Sequence, residues 1–524
     1  MAEPVAMSWR KEVEGIEARR LAALELGGRT AVERQHGLGR FTVRERIQSL
    51  VDADSIREIG PIAGHSELDE QGNLVSFTAA NYVLALARVD GRPVAVGGED
   101  FTQRGGSPTP AGLRKSVYAE QLAIDYRVPL VRFLEGGGGS VAGTSGAGRV
   151  PVGDPVFATH RFKSIAEVMA TSPVVSAAVG AVAGFPAARV AASHFSMMTR
   201  HTSQVLIAGP AVVERALGEK KTKEELGGAG VHATSGIIDN VCDDEADVFR
   251  QTRAFLSYLP SNVWELPPVS QCDDDPNRSE EELLEIIPRD RRKAYDVRRL
   301  LELVVDQGSL FEMTRFYGPS QLTAFARLGG QPVGVWANDS RWYAGAMSAD
   351  GALKVRRFID LCDTFHLPII SFVDEPGFLI GSGAEAAGTI RFGAATIAAT
   401  VQSRVPWASV IVRKAYGVAA AAHFGPGGLV LAWPSAETGA LPVEGGVAVA
   451  FRRDIEAASD PIARRAELEE SFAATRSPFP RAEGFSVHDL IDPRRTRTEL
   501  CDWLQRLAPR LASDLGPRGY PIRP

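Results

Sequence analysis

The chain has 524 residues, 44% of them hydrophobic and 23% charged, with a formal net charge of -6. That length suits two large domains with substantial cores, and the mild acidity offers no basic face for a nucleic-acid partner. Four cysteines, Cys242, Cys272, Cys362 and Cys501, form no CxxC pair, so neither a disulfide framework nor a zinc site is expected and a reducing, cytoplasmic setting fits.

Taken in chain order, the polar N-terminus shows no apolar signal core, and residues 8 to about 50 are charged and helix-prone. Two α/β stretches follow, about 75–260 and 295–455. The segment SQCDDDPNRSEEELLEIIPRDRR between them is polar and acidic, as linkers are. The predicted organisation is a domain over 1–269, a linker over 270–294 and a second domain over 295–524. After residue 455 charged helical patterning returns. No run of eighteen apolar residues occurs, so no membrane span is expected. The alanine-rich stretch Val174 to Ala192 reads as buried strand and helix.

The two α/β stretches superimpose as sequences. Val94, Pro129 and Glu135 match Val333, Pro368 and Asp374 at a constant offset of 239, and GAVAGFPAA (180–188) matches RKAYGVAAA (413–421) at 233. Generic α/β alternation repeats helices and strands, but not proline, acid and glycine at fixed places. The expected fold class is therefore α/β, a duplicated β-α-β domain with a mixed or parallel sheet covered by helices.

Gly184 and Gly417 sit where a strand is predicted to hand over to an alanine-rich helix. The first amides of a helix lack internal acceptors and carry the positive end of its dipole. Two of them aimed at one point make an oxyanion hole, suited to the enolate of a thioester. The loop EGGGGS at 135–140 lacks the lysine of a phosphate-binding P-loop and the GxGxxG context of dinucleotide binding. A GxSxG nucleophile elbow and an HExxH zinc motif are absent. His160, His194, His201 and His366 read as structural hydrogen-bonding residues, while His423, six positions after Gly417, is the candidate histidine to face the site. The acids Asp374 and Glu375 end a predicted strand and read as loop structure or helix caps.

Longer segments carry a resemblance. GRFTVRERI (39–47), DFTQRGGS (100–107), GPAVVERALGEKKTKEELGGAGVHA (209–233), SYLPSN (257–262), FVDEPGF (372–378), RKAYG (413–417), FRRDI (451–455) and IDPRRTR (491–497) are similar to segments of biotin-dependent acyl-CoA carboxylase β subunits, the carboxyltransferases of the propionyl-CoA and acetyl-CoA carboxylase group. The resemblance covers about residues 30 to 524. It implies two duplicated crotonase-like (ClpP/crotonase) β-β-α superhelical domains, a homo-hexameric core, and a site completed across a subunit interface. It implies that the first domain takes the acyl-CoA, with CoA as part of the substrate. The second would take biotin, delivered as carboxybiotin on a separate carrier protein by a biotin carboxylase/biotin carrier subunit, with no metal in this chain. By position, the amides of Gly184 and Phe185 would hold the thioester carbonyl, and those of Val418 and Ala419 the ureido carbonyl. Gly105, Gly106, Gly137, Gly138, Tyr416, Gly417 and Ala421 would touch substrate.

Three departures stand out. The first corner reads Ala183-Gly184-Phe185-Pro186 where the family has AGGA, the second reads RKAYGVAAA where it often has RKAYGGAYD, and Ala421 replaces an acid common in propionyl-type pockets. A biotin-linked acyl-CoA decarboxylase of the same architecture and a non-catalytic scaffold paralogue are the alternative readings.

Overall fold

The computed structural model describes residues 8–137, 155–474 and 477–518. Residues up to Leu256 form one compact unit and residues from Ser257 another.

The chain opens with the helices α1 (Arg10–Leu24), α2 (Arg29–Gly37) and α3 (Val43–Leu50). The third starts where the sequence offers Thr42-x-x-Glu45: the Thr42 hydroxyl accepts from the Glu45 amide and the Glu45 carboxylate from the Thr42 amide. This reciprocal cap satisfies two otherwise orphaned donors. A hairpin of β2 (Gly64–Leu68) and β3 (Leu74–Ala79) stands apart from the main sheet.

The main sheet of the first unit is built from β1 (Arg57–Glu58), β4 (Tyr82–Val89), β5 (Arg92–Glu99), β6 (Leu130–Gly136), β7 (Val174–Ala183), β8 (Phe195–Thr199) and β10 (Asn240–Cys242), in that spatial order, with β9 (Gln204–Leu206) pairing β7. From β5 onward the pairing is parallel; β1, β4 and β5 are antiparallel. Every residue of β6 is buried, the pattern of a parallel strand covered on both faces. Helix α4 (Pro110–Tyr126) and helix α5 (Pro155–Met169) pack on one face around Leu84, Leu122, Leu130, Val168 and Val174. The short helix α6 (Phe185–Ala191) follows β7, as the alanine-rich stretch predicts.

The second unit repeats this plan. Its sheet orders β11 (Phe311–Met313), β12 (Gln321–Leu328), β13 (Gln331–Asn338), β14 (Ile369–Glu375), β15 (Trp407–Tyr416), β16 (Leu429–Ala432) and β18 (Asp489–Leu490), with β17 (Glu437–Gly439) pairing β15. The sequence offsets survive as register. Ala95 faces Leu130 in one sheet and Gly334 faces Ile369 in the other, each residue offset by 239 from its counterpart. Leu130 faces Val174 and Ile369 faces Trp407, with Val174 and Trp407 offset by 233. Helix α7 (Ala349–Thr364) matches α4, and each is capped by a side chain at the same place, Thr109 or Ser348. Helix α8 (Thr389–Gln402) precedes β15, and helix α9 (Gly417–Ala420) follows it. The polar segment 270–292 lies in the second unit and contains a single 3-10 turn, Glu281–Leu284. The charged tail is helical and ends in α10 (Thr496–Ser513).

Candidate active site

Both corners form where the glycines predict them. In the first unit β7 runs to Gly184, whose φ of 67° and ψ of -132° suit glycine, and α6 starts at Phe185. In the second, β15 runs to Tyr416, and Gly417, with φ of 64°, opens α9. Gly184, Gly417 and Val418 are exposed, and Val418 retains 64% of its accessible surface. Ala419, next in the chain, is fully buried. The amides of Val418 and Ala419 lie in the first turn, where helix geometry provides no acceptor.

The corners are not equivalent. Pro186 stands at the position matching Ala419, and proline has no N–H to donate. The first corner can therefore present the amides of 184 and 185 but not 186, whereas the second presents both 418 and 419. Phe185 places its ring 4.4 Å from the Arg189 guanidinium carbon and edge-on to Phe162. Arg189 is buried and donates to Glu120 at 2.9 Å and to the Ser116 carbonyl. Arg132, also buried, bonds Glu120 and donates to the carbonyls of Arg189 and Ala192, at the C-terminal end of α6. A buried Arg–Glu–Arg cluster thus holds the corner helix against β6.

The glycine loops gather at the carboxyl ends of the same strands. Gly105 and Gly106, both with positive φ, follow β5. A Cβ on Gly106 would lie 2.3 Å from the Glu135 carbonyl oxygen, so only glycine permits this approach of the loop to the end of β6. The Gly137 amide donates to the Gly105 carbonyl. Gly136 pairs with Val182, two residues before Gly184. Gly105, Gly106, Gly137 and Gly184 therefore share one edge of the sheet; Gly138 lies outside the described residues. Carboxyl ends of parallel strands are where open α/β sheets receive ligands.

The second unit shows the same edge. Gly345 approaches the Asp374 carbonyl as Gly106 approaches that of Glu135. Beside Gly417 lies a cleft of about 310 Å³ whose lining includes Arg291, Arg292, Lys293, Lys414, Tyr416 and Glu437. The Tyr416 hydroxyl donates to Glu437 at 2.8 Å, and Glu437 also receives Arg291. Ala421, on the 3-10 turn Ala421–His423 after α9, is exposed.

Two sequence readings need correction. Asp374 and Glu375 are fully buried and cap no helix, although Glu375 keeps the expected role in loop structure. Asp374 takes a bidentate pair from Arg413 and the Lys414 amide, and Glu375 accepts the amides of Gly377 and Met347. His423 does not face the open edge; it is fully buried, stacked on Trp336. Of the histidines read as structural, His194 and His366 make buried hydrogen bonds, His201 is exposed and the His160 side chain lies outside the described residues; His232 is bonded in the same way. The residues that sequence reasoning missed are braces. Glu135 is buried between Arg40, Arg46 and Gln35, which gives the arginines of GRFTVRERI a reason to be there. Arg291–Lys293, placed in a linker, line the cleft beside the second corner. Among the described residues no cluster of histidine, cysteine or acid side chains is arranged to hold a metal ion, and no helix is long and apolar enough to cross a membrane.

Two matched halves, each carrying a positive-φ glycine corner at the carboxyl edge of a mixed sheet, define a duplicated crotonase-like carboxyltransferase. The chain belongs to the carboxyl transferase domain family, which matches residues 34–513, and is a carboxyltransferase subunit of the acyl-CoA carboxylase group. It is 35% identical over 511 residues to a propionyl-CoA carboxylase carboxyltransferase subunit of Haloferax mediterranei, covering 96% of this chain and 97% of that one. It is 33% identical over 490 residues to the methylmalonyl-CoA decarboxylase subunit alpha of Veillonella parvula, covering 92% and 93%. Among solved structures, the transcarboxylase 12S hexamer with methylmalonyl-coenzyme A and methylmalonic acid bound superimposes with a TM-score of 0.85 at 32% identity, covering 97% of each chain.

Proposed function

We propose that this chain moves CO2 from carboxybiotin, carried on a separate protein, to the α-carbon of an acyl-CoA. The observation that carries this reading is the pair of outward-facing corners at Gly184 and Gly417, matched in register and differing in their amide sets. In this reading residues 1–269 serve the acyl-CoA and residues 295–524 the biotin. The amides of Gly184 and Phe185 receive the thioester carbonyl and stabilise the charge that develops as the α-proton leaves. Gly105, Gly106 and Gly137 shape the edge along which the substrate lies, and Gly138 is assigned to substrate contact by its place in the sequence alone. The ring of Phe185, held by Arg189, narrows the space where the family has glycine.

The second corner fits the ureido group: the exposed Val418 and the buried Ala419 each bring a first-turn amide as donor to a neutral carbonyl, and the neighbouring cleft, rich in arginine and lysine, suits a carboxylated ring. Carboxybiotin supplies activated CO2 and, after its loss, the base for the α-proton. Tyr416 and Gly417 fix the approach to the corner, and Ala421 leaves room where an acid is common. Holding both reactants in register removes much of the entropy of a bimolecular encounter. We further propose a homo-hexameric core, following the hexamer named for the transcarboxylase relative, that works with a biotin carboxylase/biotin carrier subunit in the cytoplasm, where thiols such as those of Cys242, Cys362 and Cys501 stay reduced.

The test is direct. The purified chain is mixed with a carboxylated biotin carrier and a panel of acyl-CoAs, and carboxylated CoA products are followed by mass. Product with at least one acyl-CoA is expected; no turnover with any acyl-CoA and an authentic carrier overturns the proposal. The decarboxylase relative gives the reverse direction a specific standing, so methylmalonyl-CoA and malonyl-CoA with biotin as acceptor complete the assay. Consumption there without forward transfer assigns the chain to decarboxylation.

A further inference from the structure

Beneath the second corner lies a polar network closed to solvent. Gln321, Trp336, Asn338, Ser371, Glu375 and His423 each expose 0% of their surface. Glu375 Oε1 accepts from the Gly377 amide at 3.0 Å and the Met347 amide at 3.3 Å, and Oε2 accepts from Asn338 Nδ2 at 3.1 Å. The His423 ring stacks on the Trp336 indole with centroids 3.7 Å apart, and its Nδ1 lies 2.6 Å from Ser371 Oγ. Its Nε2 has no hydrogen-bond partner and faces Glu375 Oε2 at 3.6 Å.

With its proton on Nδ1, His423 would set a bare nitrogen against a carboxylate, acceptor against acceptor; with its proton on Nε2 and the Ser371 hydroxyl donating to Nδ1, Glu375 stays a buried charge that faces, among the described residues, no cation closer than this neutral ring. A proton between the two groups resolves both problems. Placed on His423 as a second ring proton it makes a buried ion pair, which desolvation opposes. Placed on Glu375 it makes a neutral carboxyl that faces Nε2 across 3.6 Å and leaves Nδ1–H to donate to Ser371. Burial favours this neutral form on both sides: it pushes Glu375 up to about 8, with Asp374 adding to the rise, and His423 down to about 3.

His423 also closes the segment that carries the corner. The turn Ala421–His423 continues α9, and the His423 carbonyl accepts from Trp407 Nε1 and Ser409 Oγ, both on β15, at 2.7 Å. The ring is thus tied to β14 and the carbonyl to β15, with the amides of Val418 and Ala419 only a few residues upstream. We propose that Glu375 and His423 hold one proton between them, and that this contact positions the carboxybiotin-side corner. The corner's role rests on the proposed function; the shared proton does not. Glu375 is a positioning residue, since it touches no reactant.

The charged surroundings are few. On β14 Asp374 precedes Glu375, and on β15 Arg413 neutralises Asp374, with the Tyr295 ring 4.9 Å from the guanidinium. β12 and β13 bring neutral Gln321, Trp336 and Asn338, and α8 brings Thr400, bonded to the Ala422 carbonyl. When Glu375 ionises, the donor to His423 is lost and the corner loosens.

The test compares the intact chain with Glu375→Gln, whose amide donates at every pH, and His423→Phe, which keeps the stacking but offers no acceptor. kcat/KM is measured from pH 6 to 9.5 with carboxybiotin and acyl-CoA varied separately. The expected wild-type profile for carboxybiotin falls about tenfold per pH unit above one ionisation, and Glu375→Gln removes that limb. His423→Phe lowers kcat/KM for carboxybiotin about tenfold or more while the KM for acyl-CoA moves far less. An unchanged alkaline limb in Glu375→Gln, or equal losses for both substrates in His423→Phe, overturns the positioning role. Difference infrared spectra give a readout independent of activity: a protonated-carboxyl band at pH 7 that Glu375→Gln abolishes. Absence of that band overturns the shared proton. A wild-type chain that shows the band but transfers no carboxyl group overturns the functional reading and the corner role with it, and leaves the proton site standing.

Discussion

Arg413 and Asp374 meet near the carboxyl ends of β15 and β14, Nε to Oδ1 at 3.0 Å and Nη2 to Oδ2 at 2.7 Å, shielded from water. Their counterparts in the first half are Gly180 and Glu135, and a Cβ on Gly180 would fall 2.3 Å from the Glu135 carboxylate. There the acid turns instead to Arg46 at 2.6 Å and Arg40 at 3.1 Å, both from outside the sheet. One acid position, inherited twice, is neutralised by two different routes. Removing one partner of a buried pair strands the other charge, at a cost of about 3–5 kcal/mol. Asp374→Ala and Glu135→Ala are each expected to lower stability by that order, read from urea unfolding midpoints. A loss below about 1 kcal/mol in either would show that its arginines find other partners.

The repeat was legible because it is written in residues with conformational meaning: prolines before strands, acids at their ends, glycines at the corners. Offsets of 239 and 233 reappear as strand register, so the sheet core and both corners follow from the chain itself. The braces were not legible. Arg46 and Glu135 are 89 residues apart, and no local periodicity signals a pair that forms only when the sheet assembles. The basic run at 291–293 has a linker's composition, and only the fold lays it along the cleft beside Tyr416. His423 was placed near the second corner by its spacing, but burial beneath that corner depends on Trp336 and Glu375, far away in sequence.

The mismatch between Pro186 and Ala419 permits a substitution that deletes one N–H and little else. Proline is tolerated in the first turn of a helix, and the first half already carries it, buried, at the matching place. Ala419→Pro should leave the thermal midpoint nearly unchanged and lower kcat by on the order of 10²–10³, the typical cost of one oxyanion-hole donor. The thermal midpoint and the carboxyl-transfer rate are measured on the same preparation. An active Ala419→Pro chain would remove this amide from the mechanism.

Gly106 and Gly345 hold matching loops against the ends of β6 and β14. Each has a positive φ, 71° and 92°, and each would drive a Cβ to within 2.3 Å or 2.8 Å of a backbone carbonyl. Alanine at either place combines backbone strain with a clash that no side-chain rotation relieves. Gly106→Ala and Gly345→Ala are expected to cost more than about 1 kcal/mol each. If the first glycine edge serves the acyl-CoA, Gly106→Ala should also raise the KM for that substrate more than the KM for carboxybiotin, and Gly345→Ala the reverse. Steady-state kinetics with each substrate varied in turn separates the two.

Stability should also depend on pH through Glu375 and His423, with opposite signs. Glu375 keeps its proton up to about 8 in the folded chain against an ordinary 4.5. The folded state therefore holds more protons than the unfolded one in that window, and stability falls as pH rises through it. His423 takes a proton only near 3 when folded, against an ordinary 6.5. In that window the unfolded state holds more protons, so the stability present above 6.5 is lost as pH falls toward 3. The two slopes oppose each other between 4.5 and 6.5. The contribution of the pair is then flat across that middle range. It declines on the alkaline side up to about 8 and on the acid side down to about 3, each limb no steeper than about 1.4 kcal/mol per pH unit. Urea midpoints of wild type minus Glu375→Gln should isolate the alkaline limb, and wild type minus His423→Phe the acid one. Parallel curves for wild type and both variants would mean that neither group carries a shifted proton, because other titrating residues are common to all three chains and cancel in the difference.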